Sequence, residues 1–164
     1  MAAWDFGMLF HGSSKRLKIR ERERVKTRRL TFERLEDRTA PATVSNLNDA
    51  GAGSLRQAII DVDENPDQEP QSIGFTVTGQ INLLSSLPAI TRAKTTVDGP
   101  GADSLTVNGG PGIAGFVINA SDCTISYITI QNCDTLPLGA TGDGGGLQNN
   151  AGPTTVENVV FRGN

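Results

Sequence analysis

The chain has 164 residues, 37% apolar but only 5% aromatic, with 19 glycines, 8 prolines and one histidine. This describes one modest domain with additions, and its Gly and Pro share falls short of a low-complexity chain. The net charge of −3 hides a division: residues 15–38 carry eleven basic and five acidic side chains, whereas residues 39–164 carry four basic and twelve acidic ones. A basic segment is therefore joined to an acidic domain, and no apolar run comes near the ~18 residues of a membrane span, which excludes a transmembrane helix.

Residues 1–14 contain Trp4, Phe6, Met8, Leu9 and Phe10, but Asp5 interrupts them and the positive residues follow instead of preceding. That order is the reverse of a secretory signal. In residues 15–38, Leu17, Val25, Leu30, Phe32 and Leu35 are scattered among charges, with Glu and Arg at helical spacing. This predicts a basic tail that is disordered or loosely helical and solvated. Nucleic acid is not assigned as a partner, because Glu21, Glu23, Glu33, Glu36 and Asp37 interleave with the arginines and would repel phosphate. The predicted division is a targeting-type segment over 1–42 and a folded domain over 43–164.

The stretch RLTFERLEDRTAPA at 29–42 resembles a short N-terminal motif found on many extracellular proteins of planctomycete bacteria, where it precedes the secreted portion. The resemblance implies an extracellular or cell-surface location. Residues 1–28 do not form a clean export signal, which leaves the true start and the export route open.

After Pro41 the pattern predicts a short strand, a Gly turn and one helix. Ser54 is a natural N-cap, and Leu55, Ala58, Ile59 and Val62 fall on one face, so the helix is expected near 54–62 and ends at Asn65-Pro66. A lone amphipathic helix in a β chain is expected to cap the open first coil of a stacked structure. Apolar bursts follow at 73–77, 80–84, 95–98, 105–108, 115–119, 124–130, 145–148 and 155–161, separated by Gly, Asn, Asp and Pro. These are short strands without room for long hairpins.

The last eleven residues, TTVENVVFRGN, lie over CTISYITIQNC thirty-one positions earlier, sharing Ile125/Val156, Ile128/Val159 and Ile130/Phe161. These columns fall at offsets 0, 3 and 5, so the inward phase slips once in each copy, and a slip at the same place twice predicts a bend between two short strands. Such a repeat cannot bury its apolar face alone, which predicts a β-solenoid of about four coils. Gly99, Gly101, Gly109, Gly110, Gly112 and Asn119 suit its φ > 0 corners. The final coil is expected to be uncapped, the start of a longer parent, with residues 150–164 prone to fraying or self-association.

The stretch NLNDAGAGSLRQAI at 46–59 resembles the N-terminal Gly-Ser-Leu-Arg-(Glu/Gln)-Ala-Ile cap of bacterial right-handed parallel β-helix proteins, and DGPGA at 98–102 resembles their next turn. GGGL at 144–147 and FRGN at 161–164 resemble the paired motifs of polymorphic outer membrane protein repeats. Together they imply an all-β, pectin-lyase-like right-handed parallel β-helix, secreted or surface-located, with adhesive or structural roles more common than catalytic ones.

Chemistry is sparse. Cys123 and Cys133 lack a CxxC or His partner and read as core residues, not metal ligands; geometry decides whether they pair. Lyases of this fold use a basic side chain to abstract a proton beside a uronate carboxylate, with Ca²⁺ held by acids. Here the cations between 92 and 164 are Arg92, Lys94 and Arg162, and Asp98, Asp103, Asp122, Asp134, Asp143 and Glu157 are scattered singly. Those acids read as turn formers, with Asp143 in the Gly142–Gly146 run the nearest to a Ca²⁺ ligand. The hydrolase branch is excluded, because the chain has no adjacent Asp-Asp pair and its only histidine is His11 in the tail. Asn119-Ala-Ser121 matches a glycosylation sequon by a pattern short enough to arise by chance, and Gly142–Gly146 lacks the Lys-Ser/Thr of a phosphate loop. The sequence nominates no catalytic, cofactor-binding or metal residues. The expected role is a non-catalytic surface protein contacting cell-envelope or extracellular polysaccharide, with a pectate-type lyase as the alternative.

Overall fold

The computed structural model describes residues 41–65, 70–135 and 145–164. The basic tail over 1–40, the Asn65-Pro66 stop beyond Asn65, and Asp143 with Gly142 and Gly144 fall outside them. The strands are β1 (Ala42–Val44), β2 (Gln71–Phe75), β3 (Gly79–Asn82), β4 (Thr95–Asp98), β5 (Leu105–Asn108), β6 (Phe116–Ile118), β7 (Cys123–Ser126), β8 (Thr129–Gln131), β9 (Leu147–Asn149), β10 (Thr154–Glu157) and β11 (Val160–Arg162), with one helix, α1 (Leu55–Glu64). All of their pairings are parallel. They stack in the orders β1-β2-β4-β7-β10, β3-β5-β8-β11 and β6-β9, a parallel β-solenoid of about four turns.

The registers Gln71↔Thr95, Thr96↔Thr124 and Cys123↔Thr154 make successive coils advance by 24, 28 and 31 residues. Each strand therefore sits on its counterpart one coil earlier, and inward side chains stack like on like. Ile73, Val97 and Ile125 form one fully buried column, and Ile81, Val107 and Ile130 another. The next rungs are Val156, 42% exposed, and Phe161, 46% exposed. The columns read from the thirty-one-residue repeat are thus the observed ones.

The phase slip is a corner. Ser126 ends β7 off the apolar column, buried with its Oγ bonded to Asp98 Oδ1, Tyr127 turns the chain with φ +55°, and Ile128 is buried in the core before β8. One coil later Asn158 makes the same turn with φ +52°. An ordinary L-residue pays roughly 1 kcal/mol or more for this conformation, whereas Asn is among the few that adopt it readily. The corner residues differ from those expected: Gly101 (+142°) and Gly112 (+75°) do have positive φ, but the others at such corners include Lys94, Asp122 and Asn132. Gly99 and Gly109 are required for a different reason, close approach: a Cβ on Gly99 would strike the Tyr127 carbonyl, and one on Gly109 would lie 2.7 Å from Cys133 Sγ.

The N-terminal cap forms as its sequence predicts. Ser54 Oγ accepts from the Gln57 N–H (3.2 Å) and donates to the Gly51 carbonyl (2.7 Å), and Leu55, Ala58, Ile59 and Val62 are buried, with α1 packed against β1 and β2. Arg56 clamps the cap to the coil beside it. Its guanidinium donates to Asp49 Oδ1 (2.8 Å), the Asp49 carbonyl (3.2 Å), the Ser85 carbonyl (2.7 Å) and the Ser86 carbonyl (2.6 Å). Asp49 Oδ1 also accepts from the Leu84 N–H (3.0 Å). Burial pushes the Asp49 carboxyl up, but the Arg56 hydrogen bond and charge and the Leu84 N–H outweigh it and hold the carboxyl below its ordinary value.

Two expected outcomes test this account. Ile125→Ala removes a fully buried rung and should cost about 3 kcal/mol in denaturant unfolding, whereas Val156→Ala in the same column, half open to solvent, should cost about 1 kcal/mol or less. Arg56→Ala should cost about 2 kcal/mol, because it removes four hydrogen bonds that hold the cap to the neighbouring coil and leaves the part-buried Asp49 carboxylate without its cation. Since the folded Asp49 carboxyl titrates below its ordinary 3.8, its contribution is present above that pH and is lost as pH falls below it. The acid limb of the stability curve should therefore be shallower in Arg56→Ala than in the unmodified chain.

Candidate functional site

The outward faces of the solenoid carry its accessible chemistry, and the same registers that align the core align polar side chains outside. At the ends of β3, β5 and β8 the register places Asn82, Asn108 and Gln131 in one column. Their amides form a chain. Asn108 Nδ2 donates to Asn82 Oδ1 (2.9 Å), and Gln131 Nε2 (3.2 Å) and Asn132 Nδ2 (2.7 Å) both donate to Asn108 Oδ1. Gln80 Nε2 adds a second bond to Asn82 Oδ1 (2.6 Å). Each later coil donates to the earlier one, so the amide dipoles run head to tail along the stacking axis.

A second ladder follows β6 and β9, where Asn150 Nδ2 donates to Asn119 Oδ1 (2.9 Å) and Gln148 Nε2 to Asn150 Oδ1 (3.1 Å). The sequon Asn119 is thus one rung of this ladder. Rungs of adjacent coils are spaced at about 4.8 Å, the distance between parallel strands, so each ladder repeats donors and acceptors on a scale similar to one sugar ring. The amides in these ladders escaped sequence reading. Their only signal was Asn or Gln recurring at strand ends, which becomes a pattern once the unequal coil lengths are known.

The residues weighed for lyase chemistry are dispersed and largely occupied. Arg92 Nη1 donates to the Asn65 carbonyl (2.7 Å), and its backbone N–H donates to Asp63 Oδ1 (3.1 Å), which also accepts from the Thr91 N–H (3.1 Å). Arg92 Nη2 is buried without a hydrogen-bond partner, so this guanidinium is built into the corner after α1. Lys94 lies at a left-handed corner, exposed. Asp122 is also a corner residue, but Asp98 and Glu157 are the last residues of β4 and β10, not turn formers. Asp98 Oδ1 accepts from Ser126 Oγ (2.8 Å). Among the described residues no three His, Cys, Asp or Glu side chains gather as a metal site, and no helix is long and apolar enough to cross a membrane.

The paired motifs GGGL and FRGN meet within one coil. A Cβ on Gly146 would lie 2.8 Å from Asn164 Nδ2 and 3.1 Å from a Phe161 ring carbon. Asn164 in turn reaches back one coil, accepting from the Cys133 N–H (2.9 Å) and donating to the Ile130 carbonyl (3.0 Å).

Both cysteines are free and buried. Cys123 Sγ faces the Arg92 carbonyl (3.6 Å), whereas Cys133 Sγ faces the Gln131 carbonyl (3.4 Å) and lies under Gly109. Burial pushes both thiols above their ordinary range; the Asp122 and Asp63 charges push Cys123 further up, and the Gly109 N–H partly offsets the shift at Cys133. Alkylation of the native protein at pH 8 should be at least about a hundredfold slower than in denaturant, since each thiol must wait for local opening; mass spectrometry of the labelled chain reads this directly. No protein-family model, curated protein or solved structure matches the chain.

Proposed function

We propose that this protein is a non-catalytic, secreted or cell-surface solenoid that contacts cell-envelope or extracellular polysaccharide. The observation that carries the reading is the amide ladder Gln80, Asn82, Asn108, Gln131 and Asn132, exposed at Gln80, Asn82 and Asn132 and half-buried at Asn108 and Gln131, whose hydrogen bonds run in one sense across three coils. Its inner oxygens each accept two bonds. The two ends of this chain of bonds are the Asn82 NH₂, which can donate further, and the Gln131 Oε1, which can accept. A linear glycan laid along the stacking axis offers hydroxyls at a matching repeat, and many weak polar contacts of this kind sum to a useful affinity. Location outside the cell rests on the resemblance of residues 29–42 to a planctomycete export-associated motif, and a pectin-lyase-like relationship rests on the cap at 46–59. Lyase chemistry has less support, because the part-buried Arg92 guanidinium donates to the Asn65 carbonyl and uronate polymers would meet an acidic surface.

The full chain should be retained by polysaccharide extracted from bacterial cell envelopes. Asn82→Ala combined with Gln131→Ala should weaken retention about tenfold, equivalent to about 1.4 kcal/mol, while the melting temperature moves by no more than about 3 °C. Incubation with polygalacturonate and Ca²⁺ should release no unsaturated product. Sustained turnover abolished by Lys94→Ala would replace this reading with the lyase.

A further inference from the structure

The outer face of the β1-β2-β4-β7-β10 sheet differs from the amide ladders. Its registers align two outward rows, Ser72–Thr96–Thr124–Thr155 and Gly74–Asp98–Ser126–Glu157. The first is a continuous row of hydroxyls. In the second, Asp98 and Glu157 lie one rung to either side of Ser126, about 10 Å apart along the stacking axis, and both are exposed. No lysine or arginine occupies either row. Ser126 itself is buried, its Oγ donating to Asp98 Oδ1 (2.8 Å), so the accessible strip consists of the two carboxylates and the neighbouring hydroxyl row.

Tyr127 stands at the edge of that strip, directly after Ser126. It occupies the corner that Asn158 fills one coil later, with the same left-handed backbone. The backbone of the corner is held without its side chain: the Tyr127 N–H donates to the Glu157 carbonyl (3.0 Å), and its carbonyl accepts from the Gly101 N–H (3.0 Å). Asparagine satisfies this corner at lower conformational cost, yet the position carries an aromatic ring that is 43% exposed. None of these corner bonds uses the ring. An exposed ring beside carboxylates and a hydroxyl row suits a sugar that stacks one face on the ring and brings positive charge to the acids.

We infer that this face, bounded by Tyr127, docks a cationic amino-sugar polysaccharide, with Asp98 and Glu157 facing its ammonium groups and the Thr row its hydroxyls. The inference rests on the polysaccharide reading above and specifies the charge class of the ligand and a second face that receives it. Opposite charge selects this class. A uronate polymer would be repelled by both carboxylates, and a neutral glucan would gain nothing from them.

The test uses three hexasaccharides, of glucosamine, glucose and galacturonate, titrated into the full chain by calorimetry at slightly acidic pH and low salt. The glucosamine hexamer should bind at least about tenfold more tightly than the glucose hexamer and lose that advantage in 0.5 M salt, where the Debye length shrinks to about 4 Å. Asp98→Asn with Glu157→Gln should reduce it to the level of the neutral hexamer. Tyr127→Asn should weaken binding about tenfold while the melting temperature holds or rises by about 3 °C, and Tyr127→Phe should retain binding. Equal binding of the cationic and neutral hexamers, or a Tyr127→Asn variant that binds normally, would overturn this inference and leave the wider polysaccharide reading standing. A Tyr127→Asn variant that melts lower and still binds would assign the ring to the fold. Failure of the hexamers and of envelope polysaccharide alike would sink both readings.

Discussion

Everything in this molecule depends on parallel backbone pairing between successive coils. A strand of three to five residues buries too little surface to be stable alone, and its N–H and C=O groups are satisfied only by the coil above and the coil below. Once those bonds fix the register, a side chain has no choice of neighbour: Val97 lies between Ile73 and Ile125, and Val107 between Ile81 and Ile130. Burial follows from alignment. Variation in coil length, from 24 to 31 residues, is absorbed in the corners and loops, where it does not disturb the columns.

The same alignment produces the outer surface. Because inward and outward residues alternate, a register chosen for the apolar core also stacks Asn82 under Asn108 and Thr96 under Thr124. A polar residue repeated at one outward position becomes a ladder, which is a stabilising network when its amides bond each other and a repetitive recognition surface where they face water. Corners obey a different rule. Their backbone is set by bonds between coils, so the side chain there is constrained mainly by its tolerance of positive φ, and Tyr127 stands out against Asn158 for that reason.

The solenoid was legible because its strongest evidence is periodic. Ile125/Val156, Ile128/Val159 and Ile130/Phe161 announced both the columns and the corner between them, and Ser54 with Leu55, Ala58, Ile59 and Val62 announced the cap. The corner residues were less legible: glycine or asparagine was expected where φ turns positive, but Lys94, Asp122 and Tyr127 adopt it too and Asn119 does not, while Gly99 and Gly109 serve close packing. Sequence reports which residues tolerate a conformation, not which are forced into it by an adjacent coil. The amide ladders were invisible for a related reason. Asn82, Asn108 and Gln131 are separated by unequal intervals, so their alignment exists only after the loops have been folded out.

Several residues that carry the resemblance to β-helix proteins perform structural work. Ser54 caps the helix, Arg56 ties it to Asp49, Ser85 and Ser86, Gly146 admits Phe161 and Asn164, and Asn164 bonds back to Cys133 and Ile130. A motif made of caps and close contacts specifies how coils are started and stacked, and it would persist in any protein built this way whatever it binds. Function must therefore be sought where the motifs are silent. In this chain those positions are the corner at Tyr127 and the outward rows, of which Asp98 alone also belongs to a motif, the DGPGA turn at 98–102.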